Sequence, residues 1–283
     1  MKKLLALSFA LCLIAGSIIA GTQISVKGSD TLVRLGQRWA EEYMKLHPEV
    51  AIQVSGGGSG TGIAALLNGT TDVCEASRPM KDKEYKLAEK AGIEPYRIAV
   101  ALDGIAVFLH EENPVAEFTL AQLKDIYTGV TTNWSDLGGP DKQIILYGRE
   151  NNSGTYAFFK EHVLNEEDYA DETQTLPGTA AVVNAVAKDP SGIGYGGIAW
   201  AQGVKFANVK KDAESPAITP SVESVSNGSY PISRELYWFF NGKPTGELKN
   251  LVNWALSAEG QKVAASVDYV PLPDSLAKAN MVQ

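Results

Sequence analysis

Three segments of this chain share one local design. Gly28-Ser29-Asp30-Thr31, Gly58-Ser59-Gly60-Thr61 and Ser153-Gly154-Thr155 each set glycine and small hydroxyl residues where a β-rich run gives way to a helical one. Around the first two lie Ile24–Lys27, the alternating Val50–Val54, Thr71–Ala76 and Ile98–Leu109, all read as strands. Between them, Leu32–Leu46, the segment from Gly56–Gly62 through Leu67, and Lys81–Ala91 read as helices, the first stopped by His47-Pro48. Strands separated by helices, with glycines at the junctions, predict an α/β fold around a mostly parallel sheet.

The pattern continues with helices at Leu120–Tyr127, Thr155–Val163 and Thr179–Ala187. Strands are expected at Gln143–Tyr147, Gly192–Ala199 and Leu236–Phe240, and closing helices at Glu247–Ala255 and Glu259–Val267. The length of 283 residues suggests two domains. No repeat or Pro-rich linker separates two halves, so two lobes would be joined by strands, with Ile98–Leu109 and Tyr230–Phe240 as the crossovers.

Residues 1–20 have the form of an export signal: Lys2 and Lys3, an apolar run from Leu4 to Ile19, then the small pair Ala20-Gly21. The run is short of the about 20 residues of a membrane span and contains Ser8, Gly16 and Ser17. Its removal leaves 23 basic against 33 acidic residues, a net charge of −10, and no later stretch that would span a bilayer. An acidic chain is poorly suited to nucleic acid or anionic membranes, where phosphate contacts dominate affinity. Removal also takes Cys12, leaving Cys74 alone and without a disulfide partner; a buried structural thiol is expected.

The chemistry lies in the three turns. The first turn of a helix presents unpaired N–H groups and about half a positive charge, and serine or threonine hydroxyls add donors. Glycine lets an anion approach the backbone. Arg149, four residues before Ser153, is the one guanidinium expected to join them. Taken singly, each turn reads as a plain helix cap; it is the three together that point to an anion site. Catalytic readings fit less well. Gly57-Gly58-Ser59-Gly60-Thr61 has threonine where a nucleophile elbow has glycine, and His47, His110 and His162 sit at element ends. The run lacks the Gly-Lys-Ser/Thr of a P-loop, and Gly192–Gly197 reads as a tight strand, not a dinucleotide turn. No residue cluster has metal-ligand spacing, and no cofactor is expected.

Several segments together resemble the PstS family, the substrate-binding proteins of phosphate ABC transporters. They are Gly28-Ser29-Asp30-Thr31-Leu32, Gly56–Gly62, Ala76-Ser77-Arg78-Pro79-Met80, the block from Ile126 to Phe159 with Asn133-Trp134 and Arg149–Thr155, and Tyr230-Pro231-Ile232. The resemblance implies a two-lobed periplasmic-binding-protein fold (type II), α/β, each lobe a mixed sheet flanked by helices with the ligand in the cleft. It implies a lobe of residues 21–102 plus 231–283 and a second of residues 103–230. Carried over by position, Thr31, the Leu32 backbone N–H, Ser59 and Ser77 would bind phosphate from one lobe, and Arg149, Ser153, Gly154 and Thr155 from the other. Some members carry aspartate at the position of Ser77, where it accepts the proton of hydrogen phosphate; here Asp30 is the favoured substitute, ahead of Asp72 and Glu75.

The expectation is an extracytoplasmic, monomeric phosphate carrier, not an enzyme, that delivers its ligand to an ABC permease in the inner membrane. The alternatives are a carrier of sulfate or molybdate on the same fold, an exported hydrolase or phosphatase using Ser59 or Ser153, and a sensory or adhesive role.

Overall fold

A computed structural model describes residues 21–283. The predicted leader and Cys12 lie outside the described residues. The chain runs β1 (Thr22–Gly28), α1 (Val33–Leu46), β2 (Val50–Ser55), α2 (Ser59–Leu67), β3 (Val73–Ala76), α3 (Asp82–Ala91) and β4 (Pro95–Leu109). It continues through β5 (Glu117–Thr119), α4 (Leu120–Tyr127), β6 (Ile145–Arg149), α5 (Gly154–His162), β7 (Gln174–Leu176), α6 (Thr179–Val186), β8 (Gly192–Gly197) and β9 (Lys205–Lys210). Then come α7 (Val222–Ser226), β10 (Ser233–Asn241), α8 (Gly246–Ala255), α9 (Ala258–Ser266) and α10 (Asp274–Asn280).

The strands hydrogen-bond in the order β2-β1-β3-β10-β4-β8-β6-β7, with β9 on β4 and β5 on β9. The sheet is mixed, not mostly parallel as the βα alternation predicts. β4 and β10 cause the difference: β10 is antiparallel to β3 and β4, and β4 is antiparallel to β8 and β9. The pairs β1·β2, β1·β3, β6·β7, β6·β8 and β5·β9 remain parallel.

β4 spans two cores. Its first part pairs with β10 as far as Gly104 opposite Ser233, and from Ile105 it pairs with β8. One core gathers Ile24, Trp39, Tyr43, Ile63, Ile98 and Trp238. The other gathers Ile105, Phe118, Tyr127, Trp134, Phe159 and Tyr195. The two predicted crossovers, Ile98–Leu109 and Tyr230–Phe240, are thus strands that pass between the cores, held side by side where Ile105 N donates to Ile232 O at 2.8 Å.

Helical spacing explains how the first core is covered. Leu35, Trp39 and Tyr43 recur every four residues on α1 and bury one stripe of it. Trp39 meets Trp238 edge-on at 5.3 Å, and its Nε1 donates to Gly260 O at 2.7 Å. In the second core, β8 is buried along its length and lies close under α6: side chains at Gly194 and Gly196 would reach Val182 and Thr179 at 2.7 Å. Because α6 precedes β8 in the chain, this glycine run is a close-packed strand.

Candidate functional site

The loop from β1 to α1 is pinned first. Ser29 N donates to Glu75 O at 2.8 Å, and Leu32 N closes the turn onto Ser29 O at 2.9 Å. α1 therefore starts at Val33, one residue later than predicted, and the Leu32 N–H is engaged inside the turn. Asp30 and Thr31 are left facing the second core.

The second turn requires glycine. Gly57 and Gly58 sit at φ 114° and 89°, which side-chain-bearing residues rarely adopt. α2 then begins at Ser59, whose hydroxyl caps nothing: it accepts Ser77 N at 3.0 Å and lies 3.3 Å from Ser77 Oγ. Ser29 Oγ donates to Ser77 Oγ at 2.8 Å. Ser29, Ser59 and Ser77 thus form one buried hydroxyl cluster at the ends of β1 and β3 and the start of α2.

The third turn faces them. Ser153 is the N-cap of α5, accepting Thr155 N at 3.2 Å and Tyr156 N at 3.3 Å. Its helix docks head-on against α2: Gly60 N donates to Asn152 O at 2.9 Å, and Asn152 Nδ2 to Gly57 O at 3.0 Å. A side chain at Gly154 would collide with Ser59 Oγ and Ser77 Oγ, so glycine sets the closeness of the approach. Thr31 Oγ1 and Thr155 Oγ1 meet at 2.9 Å.

Two guanidiniums enter this cluster. Arg149, 1% exposed at the end of β6, donates from Nη1 to Thr179 Oγ1 at 2.9 Å and from Nη2 to Asp30 Oδ2 at 2.5 Å, while its Nε has no protein partner. Arg234 on β10 is the second. Its Nε and Nη2 donate to Asp103 Oδ2 at 3.0 and 2.8 Å, and its Nη1 to Ser77 O at 2.9 Å. The same Nη2 reaches Thr155 Oγ1 at 2.9 Å and Thr31 Oγ1 at 3.4 Å. The expectation of a single guanidinium is therefore corrected: Arg149 has a partner in Arg234. Burial pushes the Asp103 carboxyl up and the Arg234 guanidinium down, and their mutual attraction opposes both shifts and holds them as an ion pair.

The fold thus gathers Thr31, Ser59, Ser77, Arg149, Ser153, Gly154 and Thr155 into one cluster, with Leu32 adjoining it through its backbone. Asp30 joins as an ion-pair partner: Oδ2 faces Arg149 and Oδ1 accepts Gly57 N at 2.9 Å. Asp72 instead holds Ser25 through its backbone N and hydroxyl, at 2.8 and 2.7 Å. The Glu75 side chain is sealed in the first core, where Oε1 accepts Trp238 Nε1 at 3.3 Å. Sequence reasoning missed Arg234, Asp103, Thr179 and Asn152. A signal existed for one half of the ion pair: Asp103 is the one charge within the otherwise apolar Ile98–Leu109, whereas Arg234 stands beside Glu235 in the other crossover.

Chemically, the cluster is a set of hydrogen-bond donors: buried hydroxyls, the first turns of α2 and α5, and two guanidiniums. It suits a compact anion rather than bond cleavage. The partners of Ser59 Oγ are Ser77 N and Oγ, and those of Ser153 Oγ are backbone N–H groups; neither is a base. His162 stacks on Phe158 and His47 on Tyr43. Among the described residues, no group of three or more His, Cys, Asp or Glu side chains is arranged to hold a metal ion.

Comparison with known proteins agrees with this geometry. The profile of the PBP superfamily domain matches residues 15–259. The phosphate-binding protein PstS of Pseudomonas aeruginosa is 36% identical, the match covering 92% of this chain and 86% of that one. The chain belongs to the PstS family of the PBP superfamily. A second PstS relative, from Staphylococcus epidermidis, is 33% identical over 90% of this chain and 80% of its own. The fold matches a phosphate ABC transporter substrate-binding protein with bound phosphate from Clostridium perfringens, at TM-score 0.81 and 30% identity, covering 89% of this chain and all of that one. An ABC-type phosphate transport receptor from Vibrio cholerae matches at TM-score 0.71 and 25% identity, over 88% of this chain and all of the other.

Proposed function

We propose that this PstS-family chain captures inorganic phosphate between two lobes and delivers it to an ABC permease. One observation carries the reading: donors from opposite sides of the cleft converge on a single buried point. Thr31, Ser59 and Ser77 come from one side, and Arg149, Ser153, Gly154 and Thr155 from the other. The lobes comprise residues 21–102 with 231–283, and residues 103–230, joined by β4 and β10. Relatives named phosphate-binding proteins, and a matching fold with phosphate bound, support the same ligand.

The structure is closed, and release must break the bonds that cross the cleft: Gly60 to Asn152, Thr31 to Thr155, and Asp30 to Arg149. Hinge closure around a ligand is one of the standard transitions of binding proteins. The hinge lies in β4 and β10, where the hydrogen-bonded partners change at Gly104 and Ile105. An export signal in residues 1–20 places the monomeric carrier outside the cytoplasm. Among the described residues, no helix is long and apolar enough to cross a membrane.

Calorimetric titration with inorganic phosphate, after unfolding and refolding to strip bound anion, tests the proposal. Saturable binding of one phosphate per chain, without turnover of a phosphomonoester, is expected. Hydrolysis by the pure protein, abolished by Ser59→Ala or Ser153→Ala, would overturn the carrier reading in favour of an esterase.

A further inference from the structure

The connection from β8 to β9 reaches out of its own lobe. Its short helical turn, Ile198–Trp200, follows β8 directly, and β8 and β9 both pair with the part of β4 beyond Gly104. The segment is thus carried by the lobe of residues 103–230. Ala199 is nevertheless buried in the first core, and the Trp200 ring packs against both that core and the Phe108, Val182 and Val183 cluster beside α6. Each of the other four tryptophans packs within a single core: Trp39, Trp238 and Trp254 in the first, Trp134 in the second.

Polar contacts fasten this segment to the start of α1. Arg34 Nη1 donates to Ala199 O, and the Arg34 guanidinium lies 5.4 Å from the centre of the Trp200 ring. Trp200 Nε1 donates to Thr31 O at 3.3 Å. That carbonyl, which stands ahead of α1, also accepts the Tyr269 hydroxyl. A carbonyl oxygen has two lone pairs, so one donor from each lobe fills it. The same threonine sets its own hydroxyl in the cleft, 2.9 Å from Thr155 Oγ1. A cavity of about 290 Å³ lined by Arg34, Val183, Asn184, Trp200 and Gln202 opens beside these contacts.

From this we infer that Arg34 and Trp200 form a latch that holds the closed cleft and positions Thr31 for the ligand. The inference rests on the phosphate-carrier reading and deepens it. Both are positioning residues. Trp200 fixes the Thr31 backbone, and with it the direction of the Thr31 hydroxyl. Arg34 fixes Trp200, through the face of its ring and through the carbonyl of its neighbour Ala199. When the lobes part, Trp200 leaves Thr31 and Arg34 together, so opening frees the first anion-binding turn in the same step. Trp200 is then the tryptophan whose surroundings change with closure.

The test combines release of radiolabelled inorganic phosphate into an unlabelled chase with intrinsic tryptophan emission of the full mature protein. Trp200→Phe keeps an aromatic ring and removes the N–H. It should speed release by roughly two- to tenfold, the scale of one lost hydrogen bond, with little change in the association rate. The emission change on adding phosphate should disappear, although four tryptophans remain. Arg34→Met keeps the aliphatic stem and should speed release to a similar extent; it decides the matter if Trp200→Phe does not fold. Wild-type release rates in both variants, or an undiminished emission change in Trp200→Phe, would overturn the latch and leave the carrier reading intact. A lowered melting temperature with unchanged release would reduce both residues to packing and overturn it as well. Failure of the wild type to bind phosphate would overturn the carrier reading itself.

Discussion

Asp30 and Arg149 face each other at 2.5 Å, Oδ2 to Nη2, one in the turn after β1 and the other at the end of β6. The guanidinium is buried while the carboxylate keeps some contact with solvent. The pair therefore bridges two glycine–hydroxyl turns that are 119 residues apart in the chain. Such a bridge fixes the Arg149 fork, whose buried Nε has no protein partner.

Arg149→Ala should lower phosphate affinity by about 2–5 kcal/mol, the scale of removing one partner from a desolvated charge pair. Asp30→Asn should cost less, because the neutral amide still accepts a hydrogen bond. Calorimetry of both variants checks the order; an unchanged affinity for Arg149→Ala would remove Arg149 from the site.

Gly154→Ala tests closure. The added methyl would meet Ser59 Oγ and Ser77 Oγ across the cleft, while the helix itself accepts alanine readily. Overpacking of this kind costs roughly 1–3 kcal/mol. Phosphate affinity should therefore fall about five- to 150-fold with little change in the unliganded melting temperature. Small-angle scattering should show a more open molecule; unchanged scattering and affinity would contradict the account.

The Arg234–Asp103 pair should be costly to break singly. Arg234→Met leaves a buried carboxylate unpaired, and about 3–5 kcal/mol of stability should be lost. Arg234→Met with Asp103→Leu should regain much of that loss, because both charges are then gone. Urea denaturation of the two variants measures the difference; equal loss in both would mean the ion pair does not couple them.

Glu75 predicts a pH effect on stability. Burial pushes its carboxyl up from 4.5 to about 8, with the Trp238 hydrogen bond opposing. The folded form thus keeps a proton that the unfolded form releases. The stability from this site is complete below about pH 4.5, declines as pH rises through neutrality, and levels off above about pH 8. Glu75→Gln should flatten that decline in melting temperature between pH 5 and pH 9. Parallel pH curves for the two proteins would contradict the assignment.

The long periodic elements were legible in the sequence because local pattern alone dictates them. Leu120–Tyr127 is a helix at the predicted bounds, and β1, β2, α2 and β10 fall within a few residues of theirs. β5 and β7, each three residues long, and the five-residue α7 carry too little periodicity to be read, and their partners lie far away in the chain. The sheet's mixed character was hidden for a related reason: β10 enters between β3 and β4 from more than 120 residues downstream. Motifs marked the turns, but their meeting depends on α2 and α5 docking through Gly60 and Asn152, a contact that spans 92 residues. Arg234 and Asp103 escaped because their pairing spans 131 residues and neither charge sits in a local motif.

The most direct measurement is a crystal structure of the protein grown with inorganic phosphate. One tetrahedral anion should lie between the first turns of α2 and α5, within hydrogen-bond distance of Ser59, Ser77, Arg149 and Thr155. An anion bound only elsewhere, for instance in the cavity of about 360 Å³ lined by Arg78, His162 and Tyr237, with the cleft empty, would contradict the account.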